Sequence, residues 1–140
     1  MIKELAKMID HSLLHPTMTD DILFRECEVA KKYDVASVCI KPYAVKDAVK
    51  WLKGSDVLVG TVIGFPHGNS TTELKVAETE RACSDGAVEI DMVINIGKAL
   101  EGDWQYVENE IYAVNEMAVS KGAILKVIFE NDYLQEEHIT

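Results

Sequence analysis

The sequence predicts an α/β fold built on a parallel sheet, and three observations carry that expectation. Short apolar runs rich in Val and Ile recur along the 140 residues, separated by stretches of helical period. Most of these runs are nearly continuous in apolar character, which suits strands covered on both faces. Glycines stand where helical stretches give way to the next run, as left-handed helix ends require.

The predicted strands are Met8–Leu14, Ala36–Ile40, Val57–Ile63, Ala87–Asn95 and Leu125–Phe129. Thr19–Tyr33 and Ser70–Ser84 read as helices, the second opened by a capping-box pattern, Ser70-Thr71-Thr72-Glu73. Ala44, Val45, Ala48, Val49 and Leu52 share one helical face. So do Trp104, Val107, Ile111, Val114 and Ala118. Gly54, Gly86 and Gly122 each follow a helix and precede a strand. Strand–helix alternation with short joints implies βαβ crossovers. An open doubly wound sheet and a closed (β/α)8 barrel both satisfy this pattern. No GxGxxG follows the first strands, which weakens the dinucleotide-binding version of the open sheet. Five units cannot close an eight-stranded barrel, which typically takes about 250 residues.

Composition narrows the function classes. Hydrophobic residues at 48% and charged residues at 27% fit one soluble globular domain. A net charge of −10 argues against nucleic acid and anionic membrane as partners. No apolar run approaches membrane-span length, and the start lacks the order of a signal peptide. Three widely spaced cysteines, Cys27, Cys39 and Cys83, read as reduced thiols of a cytoplasmic protein.

Polar residues inside or at the carboxyl ends of the apolar runs are the candidates for chemistry: Asp10, Cys39, Asp91, Asn95, Lys126 and Glu130. Alternation puts Glu89, Asp91 and Val93 on one side of the fourth strand. A carboxylate there is costly unless paired, so Asp91 is either a strand-end ion-pair partner or a functional group. Lys126 lies in an equally apolar strand, next to the fourth if the sheet is sequential. It reads as an imine-forming lysine, as a helper of one, or as the ion-pair partner of Asp91 within reach on the same interior side. Asp10-His11, taken to close the first strand, suggests acid–base work or a structural pair. His15, His67 and His138 form no HxH or HExxH, so no metal is expected. Cys39 reads as a buried, unactivated thiol, and Lys41 beside it as solvated. The loop Gly64-Phe65-Pro66-His67-Gly68-Asn69-Ser70 is either an anion cradle at a helix start or a rigid packing loop.

Five collinear segments resemble the deoxyribose-phosphate aldolases. Ile9-Asp10-His11-Ser12-Leu13-Leu14-His15-Pro16 is similar to their opening strand, and Ser37-Val38-Cys39-Ile40-Lys41-Pro42 to the second. Val62-Ile63-Gly64-Phe65-Pro66-His67-Gly68-Asn69 resembles the third strand and its loop. Glu89-Ile90-Asp91-Met92-Val93-Ile94-Asn95-Ile96-Gly97 resembles the fourth, and Leu125-Lys126-Val127-Ile128 the fifth. The resemblance implies an incomplete TIM (β/α)8 barrel of about five parallel strands, with residues 1–140 as the N-terminal part of the aldolase domain. It implies reversible cleavage of 2-deoxy-D-ribose 5-phosphate to acetaldehyde and glyceraldehyde 3-phosphate through a lysine imine, with no cofactor. Asp91 matches the proton-relay aspartate. Lys126, Asp10 and Cys39 match supporting residues of the active site. The segment like Val-Lys-Thr-Ser-Thr-Gly that carries the family's imine lysine has no counterpart here. Smaller departures are His15 where lysine is common and Asn131 where threonine is common.

The expectation is therefore a truncated class I aldolase, inactive by itself. The alternative is a non-catalytic half-barrel acting as a binding or assembly module. A third reading lets Lys126 form the imine. Open edges at the first and fifth strands, with inward Val59, Val93 or Ile128 uncovered, predict a homo-oligomer paired through those edges or by exchange of residues 131–140.

Overall fold

The structure, a computed structural model, describes residues 2–139. Five parallel strands form one sheet in sequential order: β1 (Asp10–Leu13), β2 (Ser37–Ile40), β3 (Leu58–Ile63), β4 (Glu89–Val93) and β5 (Ile124–Ile128). The connections are helical: α2 (Asp20–Tyr33), α3 (Val45–Trp51) and α4 (Thr72–Asp85) join the first four strands. Two helices, α5 (Ile96–Glu101) and α6 (Trp104–Ser120), lie between β4 and β5. A short α1 (Ile2–Ala6) precedes the sheet and α7 (Glu136–Ile139) follows it.

The three long helices, α2, α4 and α6, each start where a side chain takes an orphan amide. Thr19 accepts from the Ile22 amide at α2, and Asp103 accepts from the Tyr106 amide at α6. At α4 the cap is Thr71, one residue later than the capping-box pattern suggested, and it accepts from the Leu74 amide. Gly86 ends that helix at φ 108°, where a side chain would be strained.

The register assigns faces. Leu13, Val38, Ile40, Val59, Ile63, Ile90, Met92 and Ile94 point toward the helices and join Leu23, Ala48, Val107 and Val114 in one core. On the other face stand Asp10, Ser37, Cys39, Gly60, Glu89, Asp91 and Lys126. The sheet is strongly curled toward this second face. In a flat sheet β1 and β5 would be roughly 19 Å apart, beyond the reach of lysine and aspartate side chains. Yet Lys126 Nζ lies 2.5 Å from Asp10 Oδ2. The sheet is thus five strands of an incomplete (β/α)8 barrel, its inner face concave.

Several sequence expectations are corrected here. Met8 and Ile9 belong to the turn after α1, so β1 starts at Asp10, which opens the strand instead of closing it. Asn95 lies beyond β4 and caps α5, accepting from the Lys98 amide at 3.2 Å. Val59 packs in the helix-side core, not on the inner face, and Val93 is fully buried. Of the three inward apolar residues expected to be uncovered, Ile128 alone keeps partial exposure; Leu58 and Ile124 are the exposed inner-face hydrophobics.

Candidate functional site

The concave face gathers one ammonium and three carboxylates. Lys126 Nζ, on β5, lies 2.5 Å from Asp10 Oδ2, 3.1 Å from Glu89 Oε2 and 3.1 Å from Asp91 Oδ1. Asp91 and Lys126 are direct neighbours in the β4–β5 register, so sheet pairing itself brings them together. Asp10 arrives from the far strand through the curl, its other oxygen accepting from the Ser37 hydroxyl at 2.6 Å. Glu89 shares the parity of Asp91 and leans over Gly60, where a Cβ would come within 3.1 Å of its own Cβ. The Glu89 and Asp91 oxygens facing Lys126 are buried and lie off ideal hydrogen-bond directions, so their contacts are chiefly Coulombic.

The electrostatics follow from this geometry. The Asp91 side chain is 13% exposed, and burial raises its carboxyl above the usual carboxylate value even though Lys126 and Cys39 pull it down. For Lys126, partial burial pushes the ammonium down, but the hydrogen bond to Asp10 and the close Asp91 and Glu89 carboxylates outweigh it. The net effect holds the lysine charged, above its ordinary range. Cys39, almost fully buried, is pushed up by burial and then by Asp91, which makes it a proton-retaining thiol and a poor nucleophile.

The remaining candidates fall elsewhere. His11 faces the helices and pairs with Glu26 at 2.9 Å. His15 bonds Thr17 in the turn after β1. His138 lies against Trp104, and His67 is exposed in the β3–α4 loop. Lys41 is not merely solvated: its Nζ donates to the Met18 carbonyl at 2.7 Å and fixes the loop that follows β1. Glu130 adopts a left-handed φ of 57° past the end of β5. Among the described residues, no group of three or more His, Cys, Asp or Glu is arranged to hold a metal. Among them no helix is long and apolar enough to cross a membrane.

Two features were missed from sequence. Glu89 joins the site beside Asp91, and the parity the two share along their strand is the sequence signal for it. The second is a fully buried ion pair between α4 and α6, Lys75 Nζ to Glu110 Oε1 at 2.8 Å, with both side chains at 0% exposure. Its signal was a charge in an apolar stripe, since Glu110 shares the inner side of α6 with Val107, Val114 and Ala118.

Known proteins resemble this chain in sequence and fold. The family profile described as DeoC/LacD family aldolase matches residues 5–140. The chain is 51% identical over 135 residues to the deoxyribose-phosphate aldolase of Rhodopirellula baltica, covering 96% of this chain and 56% of that protein. Against the Treponema denticola enzyme of the same name it is 51% identical over 136 residues, covering 97% and 63%. A crystal structure from Coccidioides immitis superposes with a TM-score of 0.94 at 40% identity, covering 99% of this chain and 54% of that one. The tetrameric deoxyribose phosphate aldolase of Aeropyrum pernix superposes at 0.89 and 27% identity, covering 99% and 58%. The chain thus spans a little over half the length of the relatives it matches.

Proposed function

The chain belongs to the DeoC/LacD aldolase family, and on that premise we propose that its concave face is one half of an aldolase active site. The reaction is reversible cleavage of 2-deoxy-D-ribose 5-phosphate to acetaldehyde and glyceraldehyde 3-phosphate through a lysine imine. Residues 1–140 act as the N-terminal part of the barrel domain. Asp91 is the relay carboxylate, and Lys126, Asp10 and Cys39 support it, with Glu89 added to the group.

The observation that carries this reading is the imbalance around Lys126, with three carboxylates on one ammonium. A raised Asp91 can hold and release a proton nearer neutral pH than an ordinary aspartate. Lys126 is the wrong amine for nucleophilic attack, because attack needs the neutral form and this ammonium is held charged. The same fact weighs against Lys126 as the imine former. Among the described residues, Lys126 is the inner-face lysine, so the nucleophile has to come from structure outside the five strands. The cytoplasmic setting and an oligomeric state, like that of the Aeropyrum pernix tetramer, belong to the same proposal.

The test pairs this chain with the part of the Rhodopirellula baltica enzyme that lies beyond the matched region. Cleavage of 2-deoxyribose 5-phosphate should appear in the mixture, be absent from this chain alone, and fall at least about 100-fold in Asp91→Asn, as loss of a proton-transfer group does. Borohydride trapping with acetaldehyde should leave Lys126 unmodified. An adduct at Lys126 with turnover by the chain alone would reject the assignment.

A further inference from the structure

The buried pair Lys75–Glu110 is bound to more than itself. Lys75 Nζ donates to the Gly68 carbonyl at 2.7 Å and the Val93 carbonyl at 2.8 Å, with Glu110 Oε1 as its third neighbour at 2.8 Å. Glu110 Oε2 accepts from the Asn95 amide at 3.0 Å. Two charges therefore tie together two helices, the β3–α4 loop and the carboxyl end of β4. The loop is moulded on this lysine. Gly64 at φ 60° sits over the lysine stem, where a Cβ would lie 2.7 Å from Lys75 Cε. Gly68 at φ 65° rests so closely on β4 that a Cβ would collide with the Ile94 carbonyl.

Stability alone does not account for such a pair. Two charges without solvent lose most of their attraction to desolvation, and apolar side chains of similar volume often serve as well or better. What apolar side chains cannot do is hold three chosen backbone groups, Gly68 O, Val93 O and Asn95 N, at fixed positions.

We propose that Lys75 and Glu110 are positioning residues that lock the 64–70 loop across the carboxyl end of β4, the strand that bears Asp91, and so shape the mouth of the concave site. The inference rests on reading this face as the site. Amide exchange nevertheless reports the loop whether or not the aldol assignment holds, so the two can fail separately.

The experiment compares the parent chain with Lys75→Met/Glu110→Leu, which removes both charges and leaves no buried ion unpaired. The double variant should melt cooperatively near the parent's midpoint. The hydrogen-bonded amides of Gly64, Gly68 and Asn95 should exchange at least about tenfold faster, while amides of β1 and β2 keep parent rates. The nitrogen–proton signal of Asn95 should move as Glu110 is lost, and that of Asn69 as the Gly68 carbonyl of the same peptide unit loses Lys75. Parent-like exchange in the loop overturns the proposal. So does loss of the cooperative melt, because the pair would then be a support of the whole fold and not a device for one loop.

Discussion

Lys75 and Lys126 both sit among carboxylates, and the protein holds them in opposite ways. Lys75 is sealed between α4 and α6, one cation to one anion, with backbone carbonyls completing its shell. Burial lowers its pKa, and Glu110 works against that shift. Lys126 is 39% exposed on the concave face and shared by three anions. A closed, balanced pair suits fixed geometry, because any change leaves a buried charge alone. An open, unbalanced cluster suits chemistry, because protons and ligands can reach it and excess negative charge makes carboxyls compete for protons. The same residue types thus form a closed, balanced pair on one side of the sheet and an open, unbalanced cluster on the other.

The comparison breaks most visibly at the closed end. Lys75→Met alone strands the Glu110 carboxylate and should cost about 3–5 kcal/mol. That is a large share of the roughly 5–15 kcal/mol a domain has, and urea unfolding would show it directly. A loss below about 1 kcal/mol would mean the carboxylate finds water or a proton without penalty.

A smaller effect is expected from the loop that the pair holds. Gly68→Ala forces a side chain into a left-handed φ of 65° and against the Ile94 carbonyl. The loss should exceed about 1 kcal/mol, measured by the same unfolding curves. A neutral substitution would show that the loop shifts freely, contrary to a lysine-locked arrangement.

The open cluster should respond weakly in stability and strongly in titration. Lys126→Met is expected to cost less at neutral pH than Lys75→Met, because the half-exposed concave face lets water and protons reach the carboxyls left behind. The groups facing Asp91 would then be Asp10, Glu89 and Cys39 with no cation among them, so its carboxyl should rise further. Carbon-13 chemical shifts of the Asp91 carboxyl follow this directly, and a fall would contradict the role given to Lys126.

The subtlest consequence is a pH dependence. A lysine whose folded value is raised adds stability that is complete below its ordinary value near 10.5 and is lost as pH rises beyond it. The stability difference between the parent and Lys126→Met should therefore shrink above that pH and stay level below it down to the acid range, where Asp91 titrates differently in the two proteins. A difference that shrinks between pH 6 and 9 would place the titrating group elsewhere.

Legibility of the fold and the site followed the range of the interactions. Asp91 and Lys126 were readable because alternation along a strand is local and the two residues are register neighbours. Cys39 was readable as a buried thiol because a continuous apolar run surrounds it. Val59 went to the wrong face, since a shift of one residue in a strand exchanges its two sides. The α5 helix was missed because it is one short segment held by the Asn95 cap and the left-handed Gly102.

The sequence by itself determined the order of the five strands and of the long helices between them, their parallel sense, the family, and the shared parity of Asp91 and Lys126. All of these follow from periods of two or 3.6 residues and from segments met in order. The tertiary structure alone decided that Asp10 reaches Lys126 across the sheet and that Lys75 meets Glu110 between helices. Those contacts join residues 116 and 35 positions apart. They depend on strand twist accumulated over five strands and on how two helices pack against them, sums over many residues that no local pattern records.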